Sequence, residues 1–355
     1  MWQYCRNVCA NVFMDHPMTS EKTRNSTMKE VARQAGVSVS TVSHVINKTR
    51  NVERETEEKV LKAIIELNFK PNILARSLKG KGTKTIGVLI SDIRDTFFSD
   101  AVKSVESEAN DEGYNVILCD AEGDYQKEAA YIDILLRKGI DGLIFAPVDR
   151  GGQYEELIRS KVPAVQIDRR IDGSQFDFVG IDNLKSAEHA TIHLLEHGFK
   201  KIGFVGYERR YYTMEMRLKG YEKAVSDRGL ERKSLITSRG HGGTIIKNEI
   251  KNWLFREKME AVLCGNDDIC FETLLALEEL ELGIPDDIGI VTFDDVKWLQ
   301  FLKCPISAIR QPAGEIGSVS LHLLVERIKN KKETKTRVIL LEAALVERKS
   351  CGPPG

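Results

Sequence analysis

Apolar positions recur at helical spacing in three short segments near the start of the chain. In Thr27-Met-Lys-Glu30 a hydroxyl and a carboxylate lie three residues apart, the pattern of a capping box that satisfies free amides at a helix start. Val31, Ala32 and Ala35 follow as a small apolar face, and Gly36-Val37 breaks the helix. The spacing of Val42, Val45 and Ile46 predicts a second helix from near Ser38 to about Asn47. On its other faces stand Ser40, Thr41, His44 and Asn47, short polar groups suited to base edges or phosphates. A third helix, about Arg54 to Leu67, is expected to bury Val60, Leu61, Ile64 and Leu67, with Asn68 taking the left-handed turn that ends it. Two short helices joined by a glycine-containing turn, with a third as support, make a helix-turn-helix. The same periodicity also fits a three-helix packing module with a solvated polar face.

From residue 83 onward the pattern changes. Short β-rich runs at 85–90, 115–119, 142–146, 163–167, 202–205, 260–264 and 288–293 alternate with helical stretches near 98–112, 126–138, 183–197, 215–229 and 267–282. Such alternation predicts an α/β body of parallel sheets covered by helices on both faces. Between head and body lies Pro71-Asn-Ile-Leu-Ala-Arg-Ser-Leu-Lys79, followed by Gly80-Lys-Gly82. Pro71 starts a helical turn and the glycines end it, but so short a helix does not hold in water unaided. It is expected either to form on docking or to be an ordinary linker. With Leu74 and Leu78 on one face, a docked helix could pair with a symmetry mate and wedge a leucine into a minor groove.

The charge balance sharpens this division. The 355 residues carry a net charge of −1, from 52 basic and 53 acidic side chains. Residues 27–82 hold 11 Lys and Arg against 6 Glu, a surplus of five positive charges. The acidic excess lies in the body. A basic head on an acidic body points to a polyanion-binding module attached to a part with another task. No apolar run reaches the ~20 residues of a membrane helix, and the opening stretch is a poor signal peptide. A cytoplasmic protein is the expectation. The seven cysteines are scattered, without a CxxC pair, and read as reduced thiols.

The run Met28-Lys-Glu-Val-Ala-Arg-Gln-Ala-Gly-Val-Ser-Val-Ser-Thr-Val-Ser-His-Val-Ile-Asn47, followed by Pro71-Asn-Ile-Leu-Ala-Arg-Ser-Leu78, resembles the lactose-repressor family of bacterial transcription regulators. The similarity continues through Ile86-Gly-Val-Leu-Ile90, Thr96-Phe-Phe98, Gly142-Leu-Ile144, Asn266-Asp267, Phe293-Asp-Asp295 and Arg310-Gln-Pro312, covering about residues 27–349. The resemblance implies a DNA-binding homodimer whose body has two lobes with a ligand cleft between them, the chain crossing between lobes more than once. It implies DNA contacts by Thr27, Ser38, Val39, Ser40, Thr41, His44, Asn47, Arg50, Leu78 and Lys79. The domain plan becomes an extension at 1–26, either disordered or partly upstream of a true start at Met18, a head at 27–70, a hinge at 71–82, a two-lobed body at 83–349 and a tail at 350–355.

Open parallel sheets bind ligands at the carboxyl ends of their strands, and the chemistry-bearing residues of this chain lie there. Phe97 and Phe98 follow the first strand, Asp168 and Arg169 follow 164–167, and Asn266 and Asp267 follow 261–264. Asp294 follows 290–293, Gln311 follows 306–310, and Arg217 opens a helical stretch. Carboxylates, guanidinium groups and amides beside an aromatic ring suit a sugar, whose hydroxyls donate and accept while its C–H face is apolar. Each residue singly could equally be a loop end or helix cap. The family often has Asn-Pro before the Phe pair, where this chain has Asp95-Thr96, which leaves the sugar's identity open. The head is most similar to the purine-responsive branch of the family, so a purine effector is the alternative. A sugar sensor acting without DNA is another.

Enzyme signatures are missing: there is no P-loop, no GxGxxG after a strand, no GxSxG elbow and no HExxH. His189, His193 and His197 are spaced one helical turn apart and could in principle hold a metal, but Leu194 and Leu195 mark that helix as packed on a sheet. No enzyme activity, cofactor or metal is expected.

Overall fold

The computed structural model describes residues 26–47, 50–69, 82–148, 154–171, 173–208, 211–238, 243–330 and 335–352. They divide into two units, 1–79 and 80–355.

The first unit holds three helices, α1 (Met28–Ala35), α2 (Val39–Asn47) and α3 (Arg54–Glu66). The capping box is present: Glu30 N donates to Thr27 Oγ1 at 3.3 Å, and Thr27 N donates to Glu30 Oε2 at 2.6 Å. Gly36 ends α1 at φ 67°, and Asn68 follows α3 at φ 43°. Ser38 caps α2, its Oγ accepting from Thr41 N at 3.1 Å. Val31, Ala32, Val42, Val45, Val60, Ala63 and Phe69 form the core. Leu61 is not part of it. The residue is 47% exposed, because one step beyond Val60 turns the side chain about 100° around the helix, and Ala63 and Phe69 close the core instead.

The second unit is built on two six-stranded sheets. One has the order β11-β5-β4-β3-β1-β2 and the other β12-β10-β9-β8-β6-β7. The strands are β1 (Thr85–Ile90), β2 (Asn115–Asp120), β3 (Gly142–Phe145), β4 (Ala164–Ile167), β5 (Asp177–Ile181), β6 (Ile202–Tyr207), β7 (Lys233–Thr237), β8 (Ala261–Cys264), β9 (Gly289–Phe293), β10 (Ser307–Arg310), β11 (Val338–Leu341) and β12 (Ala344–Val346). All pairings are parallel except β10 with β12. The central strands β3, β4, β8 and β9 are buried along their whole length, as parallel strands covered on both faces must be.

The helices are α4 (Thr96–Asp111), α5 (Tyr125–Arg137), α6 (Glu155–Ser160), α7 (Asn183–Glu196), α8 (Tyr212–Asp227), α9 (Gly243–Glu257), α10 (Asp267–Glu279) and α11 (Ala313–Lys329). The chain passes between lobes three times: after β5, after β10 and after β11. Each lobe has one close helix pair made by a glycine. A Cβ on Gly220 of α8 would sit 2.1 Å from the carbonyl oxygen of Leu184 in α7, and one on Gly317 of α11 would sit 2.4 Å from that of Ala101 in α4.

Two expectations change. The body does not stop at 349: Ser350 and Cys351 are fully buried, with Ser350 Oγ donating to Ile290 O at 2.6 Å and accepting from Ser307 N at 2.8 Å. And α4 begins at Thr96, capped by Asp95, so the Phe97–Phe98 pair lies within its first turn. Among the described residues, no helix is long and apolar enough to cross a membrane.

Candidate functional site

The strand ends of both sheets face one cleft. Asp168 follows β4 and Asp294 follows β9, the equivalent strands of the two sheets, and both adopt left-handed backbone, at φ 59° and 69°. Aspartate tolerates that region better than most residues, yet it still costs energy, and such positions cluster at functional sites. The cleft is lined by Asp95, Phe97, Asp168, Arg169, Tyr207, Tyr211, Thr213, Met214, Arg217, Asn266, Asp294 and Gln311.

Arg217 is the best-anchored cation. Its Nε donates to Asn183 Oδ1 at 2.8 Å and its Nη1 to Gly265 O at 2.6 Å, while the guanidinium lies 4.0 Å from the centroid of the Phe293 ring. One nitrogen also lies 3.9 Å from Asp294 Oδ2, and Asp294 Oδ1 accepts from Gln311 Nε2 at 2.6 Å. Arg217, Asp294 and Gln311 thus form one polar row. From the other lobe Arg169 faces the Tyr211 ring at 5.1 Å and the Phe98 ring at 5.8 Å, with its Nε 3.4 Å from Asp168 Oδ2.

Two lining residues are also helix caps. Asp95 Oδ1 accepts from Phe97 N at 2.9 Å, and Asn266 Oδ1 accepts from Ile269 N at 3.2 Å. The cap uses the amide oxygen of Asn266, which leaves its NH₂ as the group a ligand could meet.

The electrostatics follow from crowding carboxylates in a water-poor space. Burial, then Asp294 and Asp168, push Asp95 up to about 7. Burial, then Asp294, Asp95 and Asp268, push Asp267 up to about 8. Burial also raises Asp294, against the lowering effect of Arg217 and Gln311. Carboxylates from both lobes therefore resist sharing full negative charge.

Of the sequence candidates, Phe97, Asp168, Arg169, Arg217, Asn266, Asp294 and Gln311 line this cleft. Two do not. Phe98 is 1% exposed and packs in the core edge-to-face with Phe97, because the two rings leave the first turn of α4 about 100° apart. Asp267 lines a neighbouring chamber instead. Sequence reasoning passed over Asp95, Tyr207, Tyr211, Thr213 and Met214. Tyr207 ends β6, so the strand-end rule reaches it; the approach of α8 to the cleft has no signature in the local pattern.

In this conformation the lobes narrow the inner cleft to about 30 Å³, space for a few water-sized groups. Beside it, sharing Asp95 and Tyr207, a chamber of about 460 Å³ lies between the β1–α4 loop and α9, α10 and Trp298.

On the head, Ser38, Val39 and Ser40 are exposed at the start of α2, with Thr41 and His44 half-buried and Arg50 exposed beyond it. Ser38 Oγ lies 2.7 Å from Ser40 Oγ and 2.8 Å from Thr41 Oγ1, a hydroxyl cluster at the helix N-terminus. Thr27 is engaged in the cap of α1. The side chain of Asn47, together with Leu78, Lys79 and most of the extension at 1–26, lies outside the described residues. The His193 and His197 rings lie 4.5 Å apart, but among the described residues no three His, Cys, Asp or Glu side chains are grouped to hold a metal.

A helix-turn-helix unit joined to a two-lobed body whose parallel sheets face one cleft defines a class of ligand-controlled DNA-binding proteins. Comparison with known proteins agrees. Residues 27–72 match the model of bacterial regulatory proteins of the lacI family, and residues 191–351 match a periplasmic binding protein-like domain. The chain is 34% identical over 330 residues to the HTH-type transcriptional repressor PurR of Vibrio vulnificus, covering 91% of this chain and 98% of that protein. It is also 34% identical to the HTH-type transcriptional regulator RegA of Clostridium saccharobutylicum, covering 92% and 99%. A LacI family transcriptional regulator from Enterococcus faecium, solved with bound ribose, superposes with a TM-score of 0.67 at 27% identity, over 75% of this chain and 98% of that one. The chain belongs to the lacI family of bacterial regulatory proteins. It is a DNA-binding transcription regulator with an effector-binding body, and not an enzyme.

Proposed function

We propose that the effector is a small sugar, a pentose or hexose, bound between the lobes, and that it controls the affinity of a homodimeric repressor for a pseudo-palindromic operator. Residues 27–70 are then the DNA head, 71–82 the hinge and the remainder through 351 the effector body. The observation that carries this reading is the row Arg217–Asp294–Gln311 facing Asp168, Arg169 and the Phe97 ring across one narrow space. It offers fixed donors and acceptors to several hydroxyls at once and an apolar ring to a C–H face. The ribose-bound relative supports the same ligand class.

A ligand touching both lobes favours the closed arrangement, and it shifts DNA affinity only through that difference in contacts. In a dimer, closure alters the spacing of the two hinges at 71–82, most of which lie outside the described residues, and so weakens their hold on the operator. The sugar then acts as an inducer. On the DNA side, Ser40 and His44 lie one turn apart on α2 and read base edges, with Val39 set for a thymine methyl and Arg50 assisting.

A second reading, a purine effector, follows from the likeness of the head to the purine-responsive branch of the family, and the chain is 34% identical to a repressor named PurR. Calorimetric titration of the full chain with a panel of pentoses, hexoses and purine bases, followed by operator titration with the active compound, separates the two. Binding of a sugar that loosens the operator complex supports the first reading; binding confined to purines overturns it.

A further inference from the structure

The chain enters the body at residues 82–84, just ahead of β1, and the entry has a strained backbone. Gly82 and Lys84 both adopt left-handed conformations, at φ 67° and 53°. For a lysine that region is costly, and it persists only where the surroundings fix it. A side chain from the start of β3 does most of the fixing. Asp141 Oδ1 accepts from Thr83 N at 3.0 Å, and its Oδ2 accepts from Lys84 N at 2.6 Å. The amide of Asp141 in turn donates to Thr85 O at 2.8 Å. A Cβ on Gly82 would sit 2.5 Å from Asp141 Oδ1, so the carboxylate and a side chain cannot share that space. Further contacts come from both sides. Thr83 Oγ1 donates to Gly139 O at 2.7 Å, Asn115 N donates to Lys84 O at 2.8 Å, and Lys84 Nζ lies 4.0 Å from the centroid of the Tyr114 ring.

We infer that Asp141 is a positioning residue for DNA binding: it fixes where, and in which direction, the linker leaves the body. This rests on the homodimer and the operator control proposed above, and not on which effector is bound. Asp141 stands at the amino end of β3, opposite the strand ends that face the cleft, and is not among the residues lining it.

The argument is one of tethering. The linker is the covalent path between head and body, and a rigid entry passes on a displacement that a loose one absorbs. Once one head is bound, its partner meets the second half-site at an effective concentration set by how the linkers are held. Losing Asp141 frees the backbone of Gly82 and Thr83, which must then be ordered again on binding. Fixing the backbone of one residue costs a factor of about five or more.

The test starts from an operator selected out of a random DNA pool. Fluorescence anisotropy on the full chain then reads affinity for that operator and for a single half-site. Asp141→Ala should weaken the full operator about fivefold or more and the half-site less than twofold. Asp141→Asn keeps one acceptor and should fall between wild type and Asp141→Ala. Gly82→Ala pushes the carboxylate aside, so it should match Asp141→Ala and add less than twofold to it in the double variant. Circular dichroism checks the fold of each. Equal weakening of both DNAs, or no weakening of either, would overturn the role of Asp141. D-ribose and hypoxanthine serve as effector probes. Whichever shifts the operator affinity of wild type should bind Asp141→Ala within twofold by calorimetry, yet shift its operator affinity at least fivefold less. A full shift in that variant would overturn the proposal, and if neither probe acts on wild type the half-site comparison decides. A wild-type chain that held the half-site as tightly as the operator would bring down the homodimer reading, and this one with it.

Discussion

Asp294 gives the sharpest test of the cleft, because its surroundings predict different responses from two substitutions. Its Oδ1 accepts from Gln311 and its Oδ2 faces Arg217 at 3.9 Å, so the carboxylate is held in place before any ligand arrives. Asp294→Asn keeps that shape and removes the charge. Exchanging a charged for a neutral acceptor costs about 1–1.5 kcal/mol for a bound hydroxyl, or roughly a tenfold weaker complex. Asp294→Ala removes the acceptor and leaves Gln311 and Arg217 without it, which costs about 1.5–3 kcal/mol, or roughly 10- to 150-fold. Operator affinity without ligand should be unchanged in both, since the head is untouched. If the sugar is an inducer as proposed, both variants should behave in cells as repressors that no longer release. Calorimetry for the effector and fluorescence anisotropy for the operator read the two quantities separately. Sugar affinities within twofold of wild type in both variants would refute the role assigned to Asp294.

The pH dependence has a definite sign. Asp95 and Asp267 are raised to about 7 and about 8 in the folded chain, facing Asp294, Asp168 and Asp268, whereas the unfolded chain ionises near 3.8. Between those values the folded state binds more protons, so stability should fall as pH rises from about 4 to about 8 and level off above. Asp267→Asn should therefore gain Tm on wild type at pH 8.5 relative to pH 5; equal Tm differences at both would contradict the crowding argument. Gly220→Ala puts a Cβ 2.1 Å from the Leu184 carbonyl and should cost about 1–3 kcal/mol in urea denaturation. Gly314→Ala in α11, with nothing within 4 Å, should be neutral or stabilising, and a similar loss at both would point away from helix contact as the cause. On the head, His44→Ala should relax specificity at one base position in each half-site, at about 1–3 kcal/mol. Uniform weakening on all sequences, measured by binding selection, would make His44 a phosphate contact instead.

The sequence alone determined the head and the plan of the body. A capping box at Thr27, apolar residues at helical spacing and a left-handed Asn68 are local events, governed by interactions within one turn, and apart from the exposed Leu61 they fold as read. The buried strands β1, β3, β4, β6, β8 and β9 were legible because parallel strands covered on both faces are continuously apolar, whereas β5, buried just as fully, opens on the charged Asp177 and was not read. Strand-end polar residues such as Asp168, Asp294 and Gln311 were legible because topology puts the ligand edge of such sheets at their carboxyl ends. What only tertiary structure decided is which of two adjacent residues faces the cleft. Phe97 lines it and Phe98 packs in the core because a capped helix starts at Thr96, about 100° of rotation separating neighbours that look alike in one dimension. Tertiary structure also brings Tyr211 and Met214 to the site, makes Ser350 a buried part of the body, and sets Asp95 against Asp267 from opposite lobes. Such long-range pairings depend on how two sheets and their helices pack. That packing is a property of surfaces made by many distant residues, and no local pattern encodes it.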